Sequence, residues 1–228
     1  MVYKMNYSHY GVVASLFEYP KEKYEALVLD VMKKLPMQYK DAHTFLSHFY
    51  KALSPLSVTE QEEIYTRTFD VQALTTLDVG YILFGDDYKR GQLLSNLNRE
   101  HHEAKNNCGT ELADHLPNIL RLISKWNNKE LTHEFVHTIL APAVRLMIRE
   151  FDTERLELKE KFYITKYKTL IASVKTHRLM YLYPLQALYS VLAEDFSVTE
   201  EKNPKESTSD FLRNLKFEIE VEEKGEPS

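Results

Sequence analysis

Tyr24-Glu-Ala-Leu27-Val28-Leu-Asp-Val31-Met32-Lys-Lys-Leu35 is the stretch that decides the fold class. Its apolar residues recur at alternating steps of three and one, which gathers them on one face of a 3.6-residue helix. The next segment repeats the pattern with Ala42, Phe45, Leu46, Phe49, Tyr50 and Leu53, then stops at Ser54-Pro55. Upstream, Pro20 stands where a first helical residue tolerates proline. Downstream, Thr59 and Glu62 have capping-box spacing ahead of Ile64, Tyr65 and Phe69. After a looser stretch over 71–84, a helix is predicted from Gly85 to about Lys105, ended by the turn residues Asn106-Asn107-Cys108-Gly109. Further helices are expected over 112–126 and 129–151, with a long one from Asp152 or Thr153 to about Lys175. A last core helix spans 181–193. Strand-like alternation is nearly absent, and so are Asn-Gly and Asp-Gly hairpin turns. The expectation is an all-α, single-domain helical bundle over residues 5–195. Residues 196–228 read as a polar, acidic, mobile tail with too few apolar groups to offset ordering entropy, interrupted by a short segment at Phe211–Phe217.

Composition narrows the function classes. The chain has 228 residues, 43% of them hydrophobic, with a formal charge of −5. No basic face argues for nucleic acid. The single cysteine, Cys108, excludes an intramolecular disulfide framework and suits a reducing cytosol. The first residues contain no apolar core of about 7–15 residues for export. No run approaches the ~20 apolar residues that span a bilayer. A cytoplasmic protein without direct membrane insertion is expected.

One motif suggests catalysis. His133-Glu134-Phe-Val-His137 is HExxH, in which two imidazoles one helical turn apart hold zinc and the glutamate serves as base. Glu157 stands at a workable distance for a third ligand. Against a zinc-dependent hydrolase, there is no strand edge for aligning a peptide. Pro142 would kink the helix by removing the donor for the Thr138 carbonyl. Both histidines also fall on or beside the stripe of Val136, Leu140, Val144 and Met147, where hydrogen-bonded core histidines are common. Adjacent His101 and His102 point in different directions and read as a solvated helix end. No phosphate-binding loop, dinucleotide fingerprint, nucleophile elbow or CxxC pair occurs.

Two segments ask for a different explanation. In Gly85-Asp86-Asp87-Tyr-Lys-Arg90-Gly91-Gln92, the aspartates favour a helix start and Arg90 can pair with both. Gly91 costs roughly 1 kcal/mol there relative to alanine, which suggests close approach of another group. In Glu111-Leu112-Ala113-Asp114-His115-Leu116-Pro117, the proline must start or kink a helix. Carboxylates beside an apolar groove suit a basic amphipathic peptide.

Together these segments resemble the nitrate reductase delta subunit family, the NarJ-type chaperones of the wider TorD/DmsD redox-enzyme maturation group. Leu16-Phe-Glu-Tyr19-Pro20 resembles the family's Leu-x-x-Tyr-Pro element, and Tyr65-Thr-Arg-Thr-Phe69-Asp70 its Tyr-x-x-x-Phe-Asp. Residues 85–92 resemble its Gly-(Asp/Glu)-(Ser/Asp)-x-x-Arg-Gly-Gln. Residues 111–117 match Glu-Leu-Pro-Asp-His-Leu-Pro except at Ala113, and Leu140-Ala-Pro142 is similar to a weaker Ile-Ala-Pro stretch. The resemblance covers about residues 12–150. It implies a chaperone that is not an enzyme and has no cofactor of its own. Such a chaperone binds the N-terminal peptide of the apo catalytic subunit of a molybdopterin-dependent oxidoreductase and assists molybdenum-cofactor insertion before docking or export. On that resemblance, Asp86, Asp87, Arg90, Gly91, Glu111, Asp114, His115, Leu116, Pro117, Ile119 and Leu120 form the peptide site. Tyr65, Phe69 and Asp70 support it. Helical chaperones can exchange elements between protomers, so a homodimer is compatible with this reading. A helical adaptor for another client, and the zinc hydrolase using His133, His137 and Glu157, are the alternatives.

Overall fold

Tyr24, Val28 and Val31 lie buried on one face of a helix, as their spacing requires. The computed structural model describes residues 7–152, 155–156, 177 and 179–199. Among them every regular element is helical, and a single isolated antiparallel bridge joins Asp78 to His115. The fold is all-α. Helix α1 (His9–Val13) runs into a 3-10 turn (Ala14–Phe17), followed by α2 (Tyr24–Lys34), α3 (Lys40–Leu53) and α4 (Val58–Phe69). Next come α5 (Val79–Phe84), α6 (Tyr88–Glu103), α7 (Leu116–Lys125) and α8 (Lys129–Phe135). A π-helical turn (Val136–Leu140) leads into α9 (Ala141–Arg149), and α10 is Leu182–Phe196. Among the described residues, no helix is long and apolar enough to cross a membrane.

Packing centres on two pairs. Helix α10 lies along α3 and also touches α9, while α1 packs on α7. Helix α7 is buried on nearly every side, with Leu116, Ile119, Leu120, Leu122 and Ile123 fully enclosed. Each such side chain contributes about 1.5–3 kcal/mol through burial. An aromatic cluster joins α3, α4 and α10: the Tyr181 ring meets Phe49 at 5.5 Å, Tyr65 at 5.7 Å and Phe69 at 4.9 Å. At the other end of α10, the Asp195 carboxylate accepts hydrogen bonds from His9 Nε2 (2.8 Å), Tyr10 (2.9 Å) and Tyr39 (2.6 Å). This ties α10 to α1 and to the start of α3.

Several boundaries differ from the sequence reading. The cap of α4 is Ser57 with Glu60, a complete capping box, rather than Thr59 with Glu62. Helix α2 begins at Tyr24, so Pro20 is a buried loop residue and not its first residue. Gly85 ends α5 in a left-handed conformation (φ 61°), and α6 starts three residues later. Leu112 precedes α7, which starts at Leu116 with Pro117 in its first turn, where a missing donor costs nothing. Proline 142 does not break the long helix over 129–149. The π turn before it realigns the backbone, with Ala141 N–H bonded to the Val136 carbonyl. Phe196 belongs to the core and not to a tail: it is 2% exposed and stacks on Tyr7 at 4.9 Å. The long helix expected to reach about Lys175, Glu157 and the segment Phe211–Phe217 lie outside the described residues.

Candidate functional site

The two motif segments meet through Arg90. From the first turn of α6 its Nε donates to Asp114 (3.0 Å) and its Nη2 to Asp78 (2.9 Å). Its guanidinium also stands 5.2 Å from the Tyr81 ring centroid, within cation–π range. Arg90 therefore pairs with neither Asp86 nor Asp87, contrary to the helix-spacing expectation. Asp87 is instead the N-cap of α6 and accepts from the Lys89 N–H (2.9 Å), while Asp86 is exposed. The true partners come from two loops clipped together by backbone bonds. Val79 N–H donates to the Asp114 carbonyl (2.9 Å) and Leu116 N–H to the Leu77 carbonyl (2.8 Å). His115, the residue before α7, places Nδ1 3.3 Å from Asp78.

Burial gives this cluster its energetic weight. The Asp114 side chain is 0% exposed, and its Oδ2 also accepts the Gly80 N–H (3.1 Å). Burial would raise the Asp78 carboxyl, but the His115 hydrogen bond and the Arg90 charge hold it below the ordinary carboxylate range. Burial likewise opposes charge on Arg90, and its bonds to Asp114 and Asp78 outweigh this. The result is a rigid ion-paired joint. Asp114 is thereby committed inside the protein, while Arg90 and His115 are held by the joint with 15% of each side chain exposed.

Glycine has the role expected of it, but at a different position. A Cβ on Gly80 would stand 2.7 Å from Asp114 Oδ2 and 3.1 Å from Arg90 Cγ, whereas a Cβ on Gly91 would meet nothing within 4 Å. Gly80→Ala should therefore cost on the order of 1–3 kcal/mol through overpacking. Gly91→Ala should add about 1 kcal/mol of helix stability. Thermal melts of the two variants should move in opposite directions.

The apolar part of the expected groove is displaced as well. Leu116, Ile119 and Leu120 are 0% exposed and Pro117 is buried, so they are core and cannot line an open surface. Tyr65 and Phe69 are buried in the core. What faces solvent above them is Tyr19, set edge-on to Tyr65 at 5.3 Å. Val71 and Leu112 are also exposed, each directly after an exposed carboxylate, Asp70 and Glu111. Burial raises the Tyr65 phenol, and the charges of Asp70, Glu111 and Glu18 raise it further. Burial and then Glu111 push the Asp70 carboxyl up. Glu18 is paired with Arg121, but Asp70 and Glu111 have no ion pair among the described residues.

A second buried polar group holds the loop between α6 and α7. His101 is 3% exposed, not a solvated helix end; its Nε2 donates to the Ala113 carbonyl (2.9 Å) and its Nδ1 accepts from Asn106 (2.9 Å). Burial lowers its basicity despite the Ala113 bond, which fits this neutral tautomer. Asn118 donates to the Cys108 (3.2 Å) and Leu112 (3.0 Å) carbonyls. Sequence reading missed Asp78, Gly80 and Asn118, which lay in a stretch without periodicity or inside an apolar helix, and took Asn106 only as a turn residue. A glycine two residues after an aspartate, in a chain with only six glycines, was the available signal for Gly80.

The HExxH residues are placed differently from a zinc site. His133 and His137 stack with centroids 6.4 Å apart, and each is engaged elsewhere. His137 Nε2 donates to the Phe196 carbonyl (2.9 Å), and His133 Nε2 lies 3.3 Å from the Tyr7 hydroxyl. His133 is half-buried and His137 exposed, so both line the edge of the core and secure the end of α10. Among the described residues, no three His, Cys, Asp or Glu side chains gather closely enough to hold a metal ion. No protein-family model matches the chain, and no curated protein matches it at a significant level.

Proposed function

We propose that this chain is a NarJ-type assembly chaperone, working in the cytoplasm without catalytic activity of its own. It binds the N-terminal peptide of an apo molybdoenzyme catalytic subunit while the molybdenum cofactor is inserted. The observation that carries the reading is the Arg90–Asp114 pair. It links the Arg-Gly-Gln segment to the Asp-His-Leu-Pro segment, so the two most specific elements of the resemblance act as one built unit. The joint fixes the loop that presents Glu111 and Leu112. Exposed Tyr19, Val71 and Leu112, with Asp70 and Glu111, which have no ion pair among the described residues, are suited to a peptide that carries Arg or Lys among apolar residues.

Calorimetric titration tests this with a synthetic N-terminal peptide of a nitrate reductase-type catalytic subunit. Wild type should bind, more weakly as salt is raised. Asp70→Lys plus Glu111→Lys should lower affinity on the order of tenfold or more through charge reversal at the contact. Asp86→Ala plus Asp87→Ala should have a much smaller effect. A wild-type chain that binds no such peptide would remove the proposal.

A further inference from the structure

The loop between α6 and α7 hangs on three buried polar side chains, His101, Asn106 and Asn118. His101 is bonded at both ring nitrogens, to the Ala113 carbonyl (2.9 Å) and to Asn106 Nδ2 (2.9 Å). The chemistry around Asn106 fixes the direction of these bonds. Its Oδ1 meets the Lys125 ammonium (2.8 Å), which can only donate, and its Nδ2 meets the Asn118 carbonyl (3.1 Å), which can only accept. The amide therefore presents an N–H to His101 Nδ1, and that nitrogen must be the acceptor. Turning the amide over would oppose two donors at Lys125 and two acceptors at Asn118. We propose that His101 is an acid-sensitive latch: the neutral ring holds residues 106–113 against α6 and α7, and a proton on Nδ1 releases them. That proton would set N–H against N–H inside the protein, where a lost hydrogen bond is costly.

No counter-charge stands ready for a protonated ring among the described residues. Burial lowers the basicity of the imidazole; the Ala113 bond works against this, and the positive charge of Lys125 adds to it. Asp114, next to Ala113, turns its carboxylate to Gly80 and Arg90. Arg121, on α7, turns to Asn118 Oδ1 and to Glu18. Burial pushes the Cys108 thiol up, which keeps it neutral, and His102, Glu103 and Glu111 are exposed. An imidazole that is less basic in the closed loop binds its proton preferentially in the open one. Closure is therefore at full strength above the ordinary imidazole pKa of about 6.5 and weakens as pH falls below it, by at most about tenfold per pH unit for one proton. The segment carries Glu111 and Leu112, so its release would also weaken peptide capture. That consequence rests on the function proposed above, whereas the latch does not.

NMR of the full chain, without any client peptide, tests the latch. Long-range proton–nitrogen spectra at neutral pH should show the His101 proton on Nε2 and none on Nδ1. The Asn106 and Glu111 amides donate to the His101 and Cys108 carbonyls, and report closure by their exchange protection factors. Between about pH 7 and about pH 5 these should fall several-fold, while the Leu46 and Leu188 amides of α3 and α10 keep theirs. His101→Gln, which cannot be charged, should abolish this acid dependence. Lys125→Met, at an exposed position, frees Asn106 to turn its oxygen towards a charged ring and should shrink the fall, whatever it does to protection at neutral pH. If His101→Gln fails to fold, Lys125→Met decides alone. A proton on Nδ1 at neutral pH overturns the latch. So does loop protection that stays constant over the interval, or an undiminished fall in either variant. The consequence is read separately by titrating the client-type peptide at both pH values. Wild type should bind more weakly at the lower one, and His101→Gln should lose much of that difference. A wild type that binds no peptide at either pH removes the proposed function and leaves the exchange result standing.

Discussion

Replacing Arg90 with alanine is expected to cost about 3–5 kcal/mol of folding stability, among the largest effects of any surface-reaching side chain in the molecule. The reason lies in Asp114. Its side chain is 0% exposed, and Arg90 supplies its only charged donor among the described residues. Without Arg90 it retains the Gly80 N–H through Oδ2, while Oδ1 already lacks a partner among the described residues. A buried carboxylate in that condition pays its desolvation without return. Asp78, at 29% exposure, can take water in place of the lost bond and should add little. Typical domains are stable by about 5–15 kcal/mol, so the variant would lose a third or more of that margin. Urea denaturation with an unchanged m-value is the measurement. Asp114→Asn should be much milder, because its amide oxygen still accepts from Gly80 and Arg90. A double-mutant cycle of Arg90→Ala with Asp114→Ala should show coupling of 0.5–3 kcal/mol, in the usual range for residues in contact. A loss below about 1 kcal/mol in Arg90→Ala would mean that the joint is not what holds the two loops together.

The same pair shows how far the sequence could be read. Periodicity alone placed α2 and α3, because a buried helix face repeats locally and needs no distant partner. It placed α10 for the same reason, with Pro184 in its first turn. Arg90 was recognised as a residue with carboxylate partners, but helix spacing offered Asp86 and Asp87, which are near in sequence. The actual partners lie 12 and 24 positions away, brought close by a backbone clip between two loops. Loop pairing of that kind leaves no periodic trace. The glycine argument failed for a related reason: the tight contact is at Gly80, where the crowding atoms come from Asp114 and Arg90.

The displaced groove has a different cause. Leu116, Ile119 and Leu120 form an apolar face on α7, and a sequence cannot tell a face that meets solvent from one enclosed by α1 and other elements. Residues outside helices, Tyr19, Val71 and Leu112, remained exposed instead. Tyr19 and Leu112 stood in the resemblance motifs and Val71 in a stretch without periodicity, and nothing in the sequence marked the three as exposed, since single apolar residues are ordinary on protein surfaces. The HExxH match illustrates the converse. Its spacing was correct, yet His133 and His137 each engage Nε2 within the fold, with the Tyr7 hydroxyl and with the carbonyl that ends α10.

Asp195→Ala is the second large effect, again about 3–5 kcal/mol, and it carries a pH signature. The carboxylate is 9% exposed and satisfies three donors from two other parts of the chain, His9, Tyr10 and Tyr39. Hydrogen bonds to a charged group contribute about 1.5–3 kcal/mol each, not fully additively, and removing the acceptor strands donors that are themselves buried. Burial would raise the Asp195 carboxyl, but the bonds from His9, Tyr39 and Tyr10 outweigh it and hold the carboxyl below its ordinary value. The unfolded chain therefore binds the proton more tightly at this site than the folded one. The resulting stability is present above the ordinary carboxylate pKa and is lost as pH falls through the lowered folded-state value. Wild type should accordingly weaken between neutral pH and about pH 3, and Asp195→Ala should weaken less over the same interval because this contribution is already gone. Denaturation curves at the two pH values separate the cases. An unchanged acid dependence in Asp195→Ala would assign that dependence to other carboxylates, with Asp78, also held low by its partners, the first to substitute.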